Sequence, residues 1–189
     1  MKKRVLDYNI KVRLPVVIFT MLAAFAITFY VSKPEREGIG YNPEQPINFS
    51  HKLHAGTMGI DCQYCHNGTD KSRFALVPST NICMNCHTVA RKKQPEIQKL
   101  ASYFEKGKPI AWKRVHKLAE FTYFNHSVHV NRGIDCENCH GDVKNMDRIE
   151  QVQSFSMSSC LNCHRNAHDM LPQIKNINEG PDNCFACHR

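Results

Sequence analysis

One short motif occurs five times in the chain and constrains its fold more than any other feature. Each copy has two cysteines separated by two residues and followed at once by histidine: CQYCH, CMNCH, CENCH, CLNCH and CFACH. Cys-x-x-Cys-His is the signature for covalent attachment of c-type haem. The sequence therefore predicts five such haems. The five copies use all ten cysteines of the 189 residues, namely Cys62, Cys65, Cys83, Cys86, Cys136, Cys139, Cys160, Cys163, Cys184 and Cys187.

Zinc ribbons, redox dithiols and disulfide frameworks also use closely spaced cysteines, but each fits this pattern less well. Zinc ribbons use Cys-x-x-Cys elements in twos, whereas the number here is odd. A redox dithiol occurs once in a domain, and it does not require a histidine after every cysteine pair. A chain this short cannot build a large core of side chains, so we expect the haems to supply most of its interior.

The histidines outnumber the five motifs and suggest how the irons are ligated. The histidine of each motif lies beneath the iron as its proximal ligand. A second histidine on the iron gives a low-spin, low-potential electron carrier, a methionine raises the potential, and an open position permits substrate chemistry. Six histidines remain for five irons, which predicts mostly bis-His, low-spin haems and no catalytic site. The predicted proximal ligands are His66, His87, His140, His164 and His188.

An internal repeat supplies the strongest candidates for the distal ligands. Phe-x-His-x-x-His occurs at 49–54 and again at 124–129, and Gly-Ile-Asp-Cys follows it at 59–62 and 133–136. A second haem motif completes each half. Histidines three residues apart share one face of a helix, so one turn can serve two irons. Surface histidines on a polar helix are the alternative, which two identical pairs disfavour. The four predicted distal ligands are His51, His54, His126 and His129.

Three side chains compete to be the fifth distal ligand. His116 lies in the run that leads into the second Phe-x-His-x-x-His, and we favour it. His168 follows the proximal His164 by about one helical turn. Met157 lies three residues before Cys160.

The N-terminal region is predicted to be a membrane anchor. Residues 14–31 contain no charge, and as a helix of about 27 Å they are just long enough to span the hydrocarbon. Basic residues precede this stretch, which predicts a cytoplasmic N-terminus and an exported remainder. A cleaved signal peptide is the alternative, because Ala24-Phe25-Ala26 offers a small-x-small cleavage site. The apolar run continues through Val31, which favours the anchor.

The rest of the chain is predicted to be mostly α-helical, with much irregular loop wrapped around the haems. Strand signals are scarce. Pro95 to Lys106 has one apolar stripe, a proline in its first turn and Gly107 after its end, which predicts an amphipathic helix. The predicted division is 1–32 basic flank and transmembrane anchor, 33–46 linker, 47–94 first di-haem repeat, 95–121 connector, 122–168 second di-haem repeat and 169–189 fifth-haem segment.

Several stretches resemble known haem proteins. FSHKLHAGTMGIDCQYCH and FNHSVHVNRGIDCENCH resemble class III multihaem cytochromes c. VPSTNICMNCH, the WKRVHKL run and SMSSCLNCHR more closely resemble the pentahaem cytochrome c subunit of alternative complex III, a bacterial quinol-oxidising membrane complex. The resemblance covers about residues 47–188 and extends to the anchored N-terminus. The segment after Arg165 matches less clearly.

The resemblance implies ligand pairs, partners and a location. His51 and His126 would each serve the haem just after them in the sequence, and His54 and His129 would each serve a different haem. The partners would be an iron–sulfur subunit related to molybdopterin enzymes, polytopic quinol-interacting membrane subunits and a monohaem cytochrome c. The haem domain would lie on the periplasmic side of the bacterial inner membrane.

Other functions remain open at this point. The chain could instead be a quinol-linked multihaem anchor for another periplasmic reductase, or a catalytic multihaem enzyme, which would need an open iron. The formal charge of +8 does not indicate nucleic-acid binding. About half of that excess lies in the first thirteen residues, and haem propionates would offset the rest.

Overall fold

The computed structural model of the chain describes residues 7–32 and 38–188. The chain divides into two compact units, residues 1–37 and 38–189. In the first unit a π-helical turn, Asn9–Arg13, continues into helix α1, Leu14–Val31. Together they form a 23-residue helix whose most apolar stretch of 18 residues has a mean hydropathy of 2.3, and none of its residues is buried. The predicted apolar helix is confirmed, and its length and composition suit a membrane span or a signal sequence.

The second unit consists of short helices joined by long loops. Each helix spans only one to three turns, and four of the eight α-helices contain a Cys-x-x-Cys pair. Besides the α-helices there is a π-helical segment, Lys52–Thr57, and a short 3₁₀ helix, Val143–Asn145. The α-helices in chain order are α2 Cys62–Cys65, α3 Thr80–His87, α4 Pro95–Glu105, α5 His126–Val130, α6 Glu137–His140, α7 Met157–Arg165, α8 Ala167–Met170 and α9 Cys184–Cys187.

The predicted mostly helical fold class is confirmed for the described residues. Among residues 38–188 no strand forms, and one isolated bridge pairs Thr122 with His188. The predicted helix from Pro95 is α4, which buries Leu100 from its apolar stripe. Gly107 follows its end at a φ of +61°, a conformation that glycine adopts without strain.

The core built from side chains is small. In the described part of the chain only six apolar side chains are buried, and three of them form one cluster beside the fourth motif. That cluster also takes in the half-buried Ile134 and Ile174. A unit of this size with so few buried side chains agrees with the expectation that bound cofactors complete the interior. The six residues are Ile47, Leu100, Val115, Ala167, Leu171 and Ile177.

Part of the predicted linker packs on the second unit. The Gly40 amide donates to the Gln151 carbonyl at 2.8 Å, and the Asn42 side chain donates to the Arg148 carbonyl at 3.3 Å. The side chain of Gln45 bonds the Lys113 backbone in both directions. Residues 38–46 therefore belong to the second unit in this structure, whereas the sequence predicts them as linker. Residues 33–37 of the predicted linker lie outside the described residues.

Candidate haem-binding site

Each Cys-x-x-Cys pair lies in or at the edge of a helical turn. Such a turn puts the two thiols on one side of the helix, where they can both reach one ligand. Capping side chains fix some of these turns: the carboxylate of Asp61 accepts from the Gln63 amide at 2.7 Å, and the Asn183 side chain accepts from the Ala186 amide. No disulfide joins any two of the ten cysteines. Burial raises the pKa of the Cys65 and Cys139 thiols, which keeps them protonated at neutral pH.

The histidines share one hydrogen-bonding pattern. In seven of them the Nδ1 atom bonds a backbone carbonyl, so Nδ1 carries the proton and Nε2 is free to bind a metal. A metal-binding histidine almost always has such a bond, which fixes the ring and its tautomer. The seven contacts are His54 with Ser50 at 2.9 Å, His66 with Leu76 at 2.7 Å, His87 with Ala90 at 3.2 Å, His126 with Arg73 at 2.9 Å, His129 with Asn125 at 2.8 Å, His164 with Pro181 at 2.6 Å and His188 with Phe121 at 3.3 Å.

Three pairs of histidines face each other at one spacing. In each pair one ring comes from a haem motif and the other from a Phe-x-His-x-x-His. Two imidazoles bound on opposite sides of one metal, with bonds of about 2.0 Å, have ring centroids roughly 6 Å apart. The geometry therefore suits an iron between the rings of each pair. The centroid distances are 6.2 Å for His54–His87, 6.4 Å for His126–His140 and 6.1 Å for His129–His164.

Buried histidines are held in their neutral form. Burial, with the positive charges of His66 and other histidines, lowers the pKa of His51 to about 4. Burial, with the charges of His116, His126 and His66, lowers the pKa of His140 to about 3. Both imidazoles are therefore uncharged at neutral pH, which is the state that binds a metal.

A phenylalanine orients each histidine pair. Phe49 stacks on His54 with ring centroids 4.4 Å apart and meets the ring of His51 edge-on at 4.9 Å. In the second repeat Phe124 makes the same two contacts, at 4.6 Å with the stacked histidine and 4.8 Å with the edge-on one. The sequence marks these phenylalanines as part of the repeat but gives them no role. The structure shows that they set the planes of both rings.

The three candidates for the fifth distal ligand lie in different places. The ring of His116 meets His140 edge-on at 4.4 Å, and its Nε2 is buried without a partner. Burial lowers the pKa of His116, and a hydrogen bond to the Glu150 backbone acts in the opposite direction. His168 lies on α8, and Met157 begins α7 as an exposed residue.

His188 of the last motif, which the sequence predicts as a proximal ligand, lies elsewhere. Its ring packs on Phe121 at 5.6 Å, and the Cys187 carbonyl accepts from the Tyr123 amide at 2.7 Å. The structure thus brings His116 to the third motif, and it holds the fifth motif against residues 121–123.

The histidines of the described chain suit haem better than a bare metal ion. Within residues 7–32 and 38–188, no group of three or more His, Cys, Asp or Glu side chains could hold such an ion. The histidines instead face each other in pairs, each beside a cysteine pair. Opposed imidazoles next to two thiols are the ligand set of a c-type haem.

Comparisons with known proteins agree with this ligand set. Residues 28–111 match the class III cytochrome C family, and residues 122–189 match the family of cytochrome c7 and related cytochrome c. The chain is also 29% identical, over 77% of its length and 77% of the relative, to the multiheme cytochrome c subunit of menaquinone reductase from Nitratidesulfovibrio vulgaris. The chain is a multihaem c-type cytochrome.

The two matches divide the cytochrome as its internal repeat does. The first covers the first two haem motifs, and the second covers the other three. Cytochromes of these families bind haem covalently and carry electrons, which agrees with the cysteine pairs and opposed histidines of this chain.

Proposed function

We propose that this cytochrome carries five haems, each bound by two histidines. The opposed rings of three pairs and the hydrogen bonds of their Nδ1 atoms support this assignment. The internal repeat supports a fourth pair: Phe49 meets His51 edge-on as Phe124 meets His126, and His126 faces the histidine of the haem motif that follows it. His116 is the fifth distal ligand, supported by its buried, unpartnered Nε2. The proposed pairs are His51 with His66, His54 with His87, His126 with His140, His129 with His164 and His116 with His188.

The cytochrome acts as the electron-transfer subunit of a quinol-oxidising respiratory complex of the alternative complex III type. A haem iron between two histidines supplies one-electron transfer at low potential. The residues of this chain bind and orient the haems and perform no catalysis themselves. The observation that carries the proposal is the similarity to a subunit of a quinone-linked complex, together with the apolar N-terminal helix. The partners are an iron–sulfur subunit related to molybdopterin enzymes, polytopic quinol-interacting membrane subunits and a monohaem cytochrome c.

The apolar helix anchors the cytochrome in the bacterial inner membrane. Its 23 residues suffice to span the hydrocarbon, and the basic residues at its N-terminal end favour a cytoplasmic N-terminus. We expect a reporter fused at residue 2 to be active in the cytoplasm, and one fused at residue 189 to be active in the periplasm. N-terminal sequencing is the control. A mature chain that begins near Ile27 would show that the helix is a signal peptide.

A second candidate function has support of its own. The relative from N. vulgaris is named as a subunit of a menaquinone reductase, in which electrons flow towards quinone. The chain would then be an electron-transfer anchor that links quinone to another periplasmic enzyme. The two candidates differ in their partners and in the direction of electron flow.

Isolation of the native complex tests the proposal. After gentle solubilisation of membranes, we expect this haem-stained chain to co-purify with an iron–sulfur protein, polytopic subunits and a monohaem cytochrome c. Added quinol should then reduce its haems within the isolated complex. A chain that purifies alone, or with a soluble reductase only, would contradict this function and favour the second candidate.

A further inference from the structure

The histidine turn of the second repeat is held by a loop of the first repeat. This turn is α5, which carries His126 and His129. The loop follows the first haem motif and comprises residues 70–73. Four groups of the turn donate to its carbonyls. The Asn131 side chain donates to Asp70 at 3.0 Å and the Ser127 amide to Ser72 at 3.2 Å, and the ring Nδ1 and backbone amide of His126 both donate to Arg73, at 2.9 and 3.4 Å.

The histidine turn of the first repeat is held in the same way by a loop of the second. This turn includes His51 and His54, and the loop comprises residues 144–147, after the third haem motif. The Lys52 amide donates to the Met146 carbonyl at 2.9 Å, and the Ser50 hydroxyl donates to the Asp147 carboxylate at 2.8 Å. Gly56 lies so close to the Lys144 carbonyl that a Cβ there would overlap it.

The two sets of contacts join equivalent positions. Lys52 and Ser127 each directly follow the first histidine of their pair. Their acceptors, Ser72 and Met146, each lie six positions after the proximal histidine of the other repeat. Gly56 and Asn131 occupy equivalent positions in the two histidine turns, and their partners Lys144 and Asp70 occupy equivalent positions in the two loops. Such reciprocal contacts are those of a two-fold interface, in which each half offers the same surface to the other.

We propose that each repeat positions the distal ligands of the other, so that neither repeat forms its haem sites alone. Residues 70–73 position His126 and His129, and residues 144–147 position His51 and His54. This inference rests on the ligand assignment proposed above. Most of the contacts use backbone atoms, which substitution leaves in place. The hydrogen bond between Ser50 and Asp147 joins two side chains, and it is therefore the one to test.

The test uses EPR spectra of the oxidised full-length cytochrome. Substitutions His51→Met and His54→Met first identify the low-spin signals of the two haems served by the first repeat's turn. We expect Asp147→Ala to shift those signals, although Asp147 belongs to the second repeat. Ser50→Ala should shift the same signals at least as far, because it removes this bond and also the bond that the Ser50 hydroxyl accepts from the Leu53 amide. Adding Asp147→Ala to Ser50→Ala should shift them no further, since the shared bond is already lost. Asp147→Asn keeps an acceptor for Ser50 and should restore the wild-type spectrum.

Ser154→Ala is the matched control, because the Ser154 hydroxyl bonds the Ser156 amide within the second repeat, outside the loop 144–147. It should leave the signals of the first repeat's turn unchanged. Two results would overturn the reciprocal arrangement. In one, Asp147→Ala shifts only the EPR signals of the haems bound by His140 and His164; in the other, neither Asp147→Ala nor Ser50→Ala shifts any signal. If His51→Met and His54→Met change no signal, the ligand assignment itself fails, which is a separate result.

Discussion

Replacing Cys136 and Cys139 together with Ala is expected to remove most of the haem-binding unit from the membrane, and not only one haem. The third motif lies among the other haem-binding groups. The ring of His140 faces that of His126 and packs against the rings of His116 and Phe155, and Cys136 lies near Cys62 of the first motif. Because so few apolar side chains are buried, little else would hold these segments together. We expect the amount of haem-stained chain to fall roughly tenfold or more, since unfolded chains are degraded.

The same change in the fifth motif is the matched control. Cys184→Ala with Cys187→Ala also removes one haem. The described contacts of this motif are mainly with residues 121–123. We expect this chain to accumulate with four haems, as measured by haem staining, an immunoblot and haem content per chain. If the third-motif variant also accumulates as a protease-resistant chain with four haems, the haems are not the core of this fold.

Local sequence signals predicted the features that depend on neighbouring residues. The helix Pro95–Glu105 was predictable because its apolar stripe, its N-terminal proline and the glycine after its end all lie within thirteen residues. The apolar helix before Ser32 was predictable for the same reason. The repeat of Phe-x-His-x-x-His marked the turns that carry the opposed histidine rings. In each case one short segment contains the whole signal.

Contacts between distant segments were not predictable from residue types. The carbonyls of Arg73 and Pro181, which bond His126 and His164, are backbone atoms that every residue has. No sequence pattern distinguishes them. The packing of residues 38–46 was missed because a polar segment with proline and glycine reads as a linker, although it is held by bonds to Gln151 and Lys113.

Replacing His126 with Ala is expected to leave one haem iron with an open coordination position, while the other irons stay low-spin. His126 faces His140 with nearly parallel rings, at an interplanar angle of 4°, and Ala offers no ligand in its place. We expect a high-spin ferric EPR signal equivalent to one haem, carbon monoxide binding after reduction, and a rise of one midpoint potential on the order of 0.1 V. The wild-type protein should show neither the high-spin signal nor carbon monoxide binding.

Ser127→Ala is the matched control for this variant. Ser127 lies beside His126 on α5, and its hydroxyl bonds Asn125 rather than a histidine. It should leave the EPR spectrum and the redox titration as in the wild type. If His126→Ala is also indistinguishable from the wild type in both measurements, His126 is not a ligand, and the opposed ring pairs have another cause.

The same measurement identifies the ligand opposite His188. We expect His116→Ala to open one iron, because its buried Nε2 has no other partner, and the double variant with His126→Ala to open two. His168→Ala and Met157→Ala should open none. His116 lies against His140 in this structure, whereas His188 lies against Phe121, so the outcome also shows whether the fifth haem reaches the third motif. If Met157→Ala opens the iron instead, the fifth haem is His–Met ligated, and its potential should exceed those of the other four.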